Sequence, residues 1–117
     1  MDTFDSPRRA YLRLPFKVPL RMRVWKAGTS EHYLESENLS ARGTFFTIPF
    51  PLQTGSALEI VLRMPQEVTG RPSADWRCTG RVVRVEPVDD DPGKFGIGVQ
   101  FDCYEILDSK RHDRTED

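Results

Sequence analysis

From residue 17 onward the chain alternates. Val18, Leu20, Met22 and Val24 fall on one side of an extended backbone, and Lys17, Pro19, Arg21 and Arg23 on the other. A period of two is that of a half-buried strand. Lys26-Ala27-Gly28-Thr29-Ser30 has turn composition and closes it. Tyr33 to Leu39 predicts a weaker second strand, and Thr44-Phe45-Phe46-Thr47-Ile48 a third, broken by the stretch from Pro49 to Gly55. Leu58, Ile60, Leu62 and Met64 alternate with Ala57, Glu59, Val61 and Arg63 to give a fourth strand, and Pro65 to Asp75 reads as a loop. The fifth, Trp76 to Glu86, carries its apolar phase through Trp76, Cys78, Gly80 and Val82, then slips to Val83 and Val85. A slip of one residue predicts a bulge or strong bend. After the turn from Pro87 to Gly93, Phe95, Ile97, Val99 and Phe101 alternate with Gly96, Gly98 and Gln100. Asp102 and Glu105 have capping-box spacing, which predicts a short C-terminal helix.

Six short strands with no helical period before the last residues define an all-β chain, a barrel or a sandwich. The barrel is preferred because closure removes the exposed edges that so few strands would leave. The expected layout is a disordered N-terminus over 1–5, a domain over 6–108 that includes a short arm at 6–15, and a polar tail over 109–117. A length of 117 residues suits one core. No apolar run is long enough to cross a bilayer, and Met1 to Asp5 lacks the basic start and apolar centre of a signal peptide. Cys78 and Cys103 belong to no ligand-spaced cluster and read as small hydrophobes of a reducing compartment. Together these point to the cytoplasm and to no insertion in a membrane.

Charge changes the picture at one place. Residues 1–25 hold Arg8, Arg9, Arg13, Lys17, Arg21 and Arg23 against Asp2 and Asp5, a balance of +4 within a chain of net charge −1. Positive charge focused on one short segment suits a compact anion better than long nucleic acid, which needs a whole basic face. Pro7 and Pro15 keep the run Arg8 to Arg13 out of a long helix. Guanidinium forks grip phosphates and guanine edges, although an isolated run of this kind reads more readily as a solvated basic tail. Asn38-Leu39-Ser40-Ala41-Arg42-Gly43 has a similar double meaning. In isolation it is a strand-end turn, with Gly43 supplying a positive φ or a close approach. Functionally, Asn38 and Ser40, two apart, share one side of a strand and could meet the polar edge of a base, with Gly43 leaving space. Catalysis finds no support. His32 and His112 have no partners at metal-ligand spacing, Asp89-Asp90-Asp91 lacks the spacing of a calcium loop, and no nucleophile or phosphate-loop motif is present.

Arg9-x-x-x-Arg13 before the first strand and Asn38-x-Ser40-x-x-Gly43 at a later strand end together resemble the PilZ domain signature. The resemblance runs from Ser6 to Ile106 and includes Gly43-Thr44-Phe45-Phe46 and the closing strand Gly96-Ile97-Gly98-Val99-Gln100-Phe101. It implies a six-stranded antiparallel β-barrel and a bacterial receptor for the second messenger cyclic dimeric GMP. By that resemblance Arg9 and Arg13 bind phosphate oxygens and guanines, Asn38 and Ser40 contact a guanine, and Gly43 makes space. Arg8, just before the first motif, is the candidate for deciding between one ligand molecule and two. Asn38 is the amide of a position often filled by aspartate, which removes a charge-assisted acceptor. Some relatives stack a base on a tryptophan in the strand matching residues 81–86, where this chain offers Arg81 and Arg84.

A micromolar affinity corresponds to about 8 kcal/mol, and charge-assisted hydrogen bonds contribute roughly 1.5–3 kcal/mol each. Three arginines with stacking therefore reach that range after the cost of ordering the arm. The expectation is a single-domain receptor, not an enzyme and without a cofactor, that signals in trans to an effector protein as its arm orders on the ligand. A homodimer is compatible with this. A ligand-independent adaptor is the alternative, and a binder of single-stranded nucleic acid a third reading, disfavoured because the aromatics fit core phases.

Overall fold

A computed structural model of the chain describes residues 16–25 and 30–107. Six strands order them: β1 Pro19–Val24, β2 Glu31–Ser40, β3 Gly43–Ile48, β4 Ala57–Met64, β5 Ala74–Pro87 and β6 Phe95–Ile106. All pair antiparallel, in the order β1-β2-β3-β6-β5-β4, with β4 returning to β1 to close a barrel. The expected alternation supplies the interior. Leu20 and Met22 of β1, Leu58, Ile60, Leu62 and Met64 of β4, and Ile97, Val99 and Phe101 of β6 are all buried. Phe46, Ile48, Leu39, Trp76, Cys78 and Val82 complete one contiguous core, held together mainly by removal of this apolar surface from water.

Where the apolar phase of β5 slips, the pairing slips too. Val82 faces Val99 but Arg84 faces Gly98, so Val83 is the extra residue of a bulge and turns outward. A second irregularity leaves Asp102 of β6 without an opposite residue between the pairs Gly80–Phe101 and Thr79–Cys103. The loop expected after Pro65 contains one helical turn, α1 (Gln66–Thr69), ended by Gly70 in the left-handed conformation.

One expectation is corrected. Asp102 to Ile106 continue β6 as strand, and no helix starts at Asp102. The capping-box spacing is overridden because each side chain has a cross-strand use. Asp102 pairs with Arg81 at 3.2 Å, Glu105 with Arg77 at 3.2 Å, and the Tyr104 ring stacks on Trp76 with centroids 4.0 Å apart. The N-terminus, the arm at 6–15 with Arg8, Arg9 and Arg13, and the tail at 109–117 lie outside the described residues. No helix among the described residues is long and apolar enough to cross a membrane.

Candidate functional site

The geometry of the Asn38–Gly43 segment starts from a bulge that the sequence reading did not contain. In β2, Leu34 and Ser36 face the interior, and unbroken alternation would send residues 38 and 40 inward as well. Pairing with β3 instead jumps from Ser36–Phe46 to Asn38–Phe45, making Glu37 an extra residue. Beyond it the phase is reversed: Leu39 is fully buried in the core, and Asn38 and Ser40 lie by register on the outward side of the wall, Asn38 half-buried and Ser40 buried. Two side chains hold the bulge. Thr47 Oγ1 donates to Glu37 Oε2 at 3.0 Å, and Thr44 Oγ1 donates to the Asn38 carbonyl at 2.8 Å.

Residues directly opposite one another in antiparallel strands share a face, so the registers define two outer rows across four strands. One runs Asn38, Phe45, Gly98, Arg84; the next runs Ser40, Gly43, Gln100, Arg81. The middle of the first row is low because Gly98, and Gly96 beside it, lack side chains. The Phe45 ring lies in that space: a Cβ on Gly96 would sit 2.4 Å from its Cζ. The Arg84 guanidinium carbon stands 5.7 Å from the Phe45 ring centre, within cation–π range. The result is a shallow aromatic shelf with an amide at one end and a guanidinium at the other. A groove of about 460 Å³ adjoins it, floored by Phe45 and Thr47 and flanked by Lys17, Glu35 and Glu37 on one side and Val88, Asp91 and Lys94 on the other.

The three described motif residues differ in what already occupies them. Asn38 Oδ1 is buried and has no hydrogen-bond partner among the described residues, an arrangement that costs free energy unless a donor arrives. Ser40 is satisfied by its own turn: its Oγ accepts the Arg42 N–H at 3.0 Å and donates weakly to the Gly43 carbonyl at 3.5 Å. Gly43 does not have a positive φ. Close approach explains it, since a Cβ there would lie 2.3 Å from the Val99 carbonyl oxygen of β6. Of the two candidate arginines in β5, Arg84 lies in the row of Asn38 and meets Glu86 of its own strand at 3.4 Å, and Arg81, in the row of Ser40, is engaged by Asp102 across the strands.

Phe45 was read from the sequence only as part of an apolar strand. Its alternation with Phe46, which is fully buried, was the available signal that it faces out. The Glu37 bulge was also detectable, because Leu34 and Leu39 are an odd number of residues apart and cannot share a face of a regular strand. Ser36 was not singled out at all.

Comparison with known proteins adds two findings. The family model described as the PilZ domain matches residues 7–112. A solved structure of the Bacillus subtilis inhibitor of motility, MotI/DgrA, is similar with a TM-score of 0.64 at 19% sequence identity, over 91% of this chain and 47% of that one. This chain therefore spans about half the length of that protein. No protein with a curated description matches.

Proposed function

Starting from the PilZ domain family, to which this chain belongs, we propose that it is a receptor for cyclic dimeric GMP that signals in trans. The observation that carries the proposal is the unpartnered Asn38 oxygen at the end of the aromatic shelf. The Watson–Crick edge of guanine presents N–H donors, which an amide oxygen accepts. Arg9 and Arg13 then hold the phosphates with paired donors, Arg8 decides between one ligand molecule and two, and Ser40 and Gly43 complete the polar edge. Arg84 is the better candidate than Arg81 for stacking on a base, because its guanidinium already lies over the Phe45 ring and in the row of Asn38. Ordering of the arm against the ligand changes the surface offered to an effector protein.

A second reading draws on Ser40 and Gly43. Their turn hydrogen bonds and backbone packing account for both residues without any ligand, as a ligand-independent adaptor would require. Calorimetric titration with cyclic dimeric GMP separates the two. The receptor gives a saturable heat at micromolar concentration or below, lost in Arg9→Ala and Arg13→Ala with an unchanged circular dichroism spectrum. Absence of heat from the unaltered chain at about tens of micromolar favours the adaptor.

A further inference from the structure

Ser36 is a hydroxyl set in the wall of an apolar core. It is fully buried, and its partner across β3, Phe46, is fully buried too. A small apolar residue would suit such a position, because burying a hydroxyl costs free energy unless its hydrogen bonds are replaced. Here they are replaced by one short stretch of backbone. Ser36 Oγ donates to the Phe16 carbonyl at 2.6 Å and accepts the Val18 N–H at 2.9 Å. The Ser36 N–H donates in turn to the Val18 carbonyl at 2.9 Å. Three hydrogen bonds thus fasten residues 16–18, the chain just ahead of β1, to a single point on β2.

That point joins the two halves of the site. Phe16 follows Arg13 by three residues, and Ser36 precedes Asn38 by two, with only the bulge residue Glu37 between. The path from one motif to the other therefore runs Arg13, Phe16, Ser36, Asn38, and its central link is the serine hydroxyl. We propose that Ser36 is a positioning residue for the ligand grip, fixing residues 16–18, the chain that follows the first motif, relative to Asn38. The inference rests on the receptor reading above and adds to it a residue outside both motifs. Ser36 contacts no ligand. It acts by holding residues 16–18 at one place beside Asn38, so that less freedom is lost when the arginines of the first motif bind the phosphates.

The test is calorimetry of the full chain with cyclic dimeric GMP over a salt series, on Ser36→Ala, Ser36→Thr and Ser36→Cys. Ser36→Cys keeps the shape with a poor donor, and is the variant to read if alanine does not fold. Loosening the root of the arm is expected to weaken binding by about tenfold or more, and to flatten the salt dependence, because arginine–phosphate contacts are the screened part of the interaction. Ser36→Thr keeps the hydroxyl and should bind with close to the original affinity and slope. Asn38→Ala should weaken binding with the slope intact, since it removes a neutral contact. Ile60→Val, a core change remote from both motifs, controls for lost stability and should bind normally. Binding within about twofold of the original in Ser36→Ala and Ser36→Cys, or weakened binding with an unchanged slope, overturns the inference and leaves the receptor reading standing. No binding by the unaltered chain overturns the receptor reading, and this inference with it.

Discussion

The barrel has two outer faces built on opposite plans. On the β1–β4–β5 side, outward charges answer one another across the strands. Glu59 is shared by Arg23 and by Arg77 at 3.7 Å, Arg77 reaches Glu105, and Arg63 meets Asp75 at 3.1 Å. On the β2–β3–β6 side, two glycines, an aromatic ring and an amide oxygen without a partner among the described residues take the same outward positions. Strand pairing and core burial are alike on both sides, so neither explains the difference. A surface whose polar groups find each other is finished by folding. One that leaves a buried acceptor unpaired among the described residues, and floors its neighbourhood with glycine, keeps free energy in reserve for a donor.

Substitutions that cross this contrast should behave oppositely. The largest effect is expected at Gly43, where both plans meet. Gly43→Ala drives a methyl into the Val99 carbonyl across the β3–β6 pair, and should cost about 3 kcal/mol or more in urea unfolding. Gly98→Ala meets nothing nearer than the Arg84 Cβ, at 3.4 Å, and should cost less than about 1 kcal/mol while narrowing the shelf. Next comes the pair Asn38→Ala and Glu59→Gln. Removing the unpaired amide should leave stability unchanged or raise it by about 1 kcal/mol, yet weaken ligand binding. Glu59→Gln should lower stability by about 1 kcal/mol, most at low salt, and leave binding as it was. If both lose stability and neither loses binding, the two faces do not differ in purpose.

At neutral pH the smallest effect concerns the interior. Burial pushes the Cys78 thiol from 9.0 up to about 12, with the nearby Cys103 adding to the shift. The folded state holds this proton longer than the unfolded chain. The stabilisation is therefore fully present below about pH 9 and is lost as pH rises towards 12, at up to about 1.4 kcal/mol per pH unit. Chemical denaturation across that window should show the decline, and Cys78→Val should flatten it.

Most of the barrel was readable because apolar alternation and barrel burial are the same fact seen twice. The bulge at Val83 was readable for that reason, since an apolar slip marks it. The C-terminal helix failed because capping spacing is local, whereas the pairing of Asp102 with Arg81 and the stacking of Tyr104 on Trp76 depend on a strand distant in sequence. The outer surface around Asn38 was not legible in the sequence. That Asn38 shares a row with Arg84 follows from the registers of three strand pairs, and a sequence carries no register. Ser36 escaped notice because a buried serine in a strand looks like any other polar position until its partners are known.

The seam between β3 and β6 has a kinetic consequence. It joins residues 43–48 to residues 95–100, so it closes a long loop, and such non-local pairings form late and slowly. Asn38 and Phe45 stand on one side of this seam, Gly98 and Arg84 on the other. Neither the β2–β3 hairpin nor the β5–β6 hairpin carries the shelf alone. It comes into being only when this seam closes, and a partly folded chain displays Asn38 and Arg84 without the surface between them.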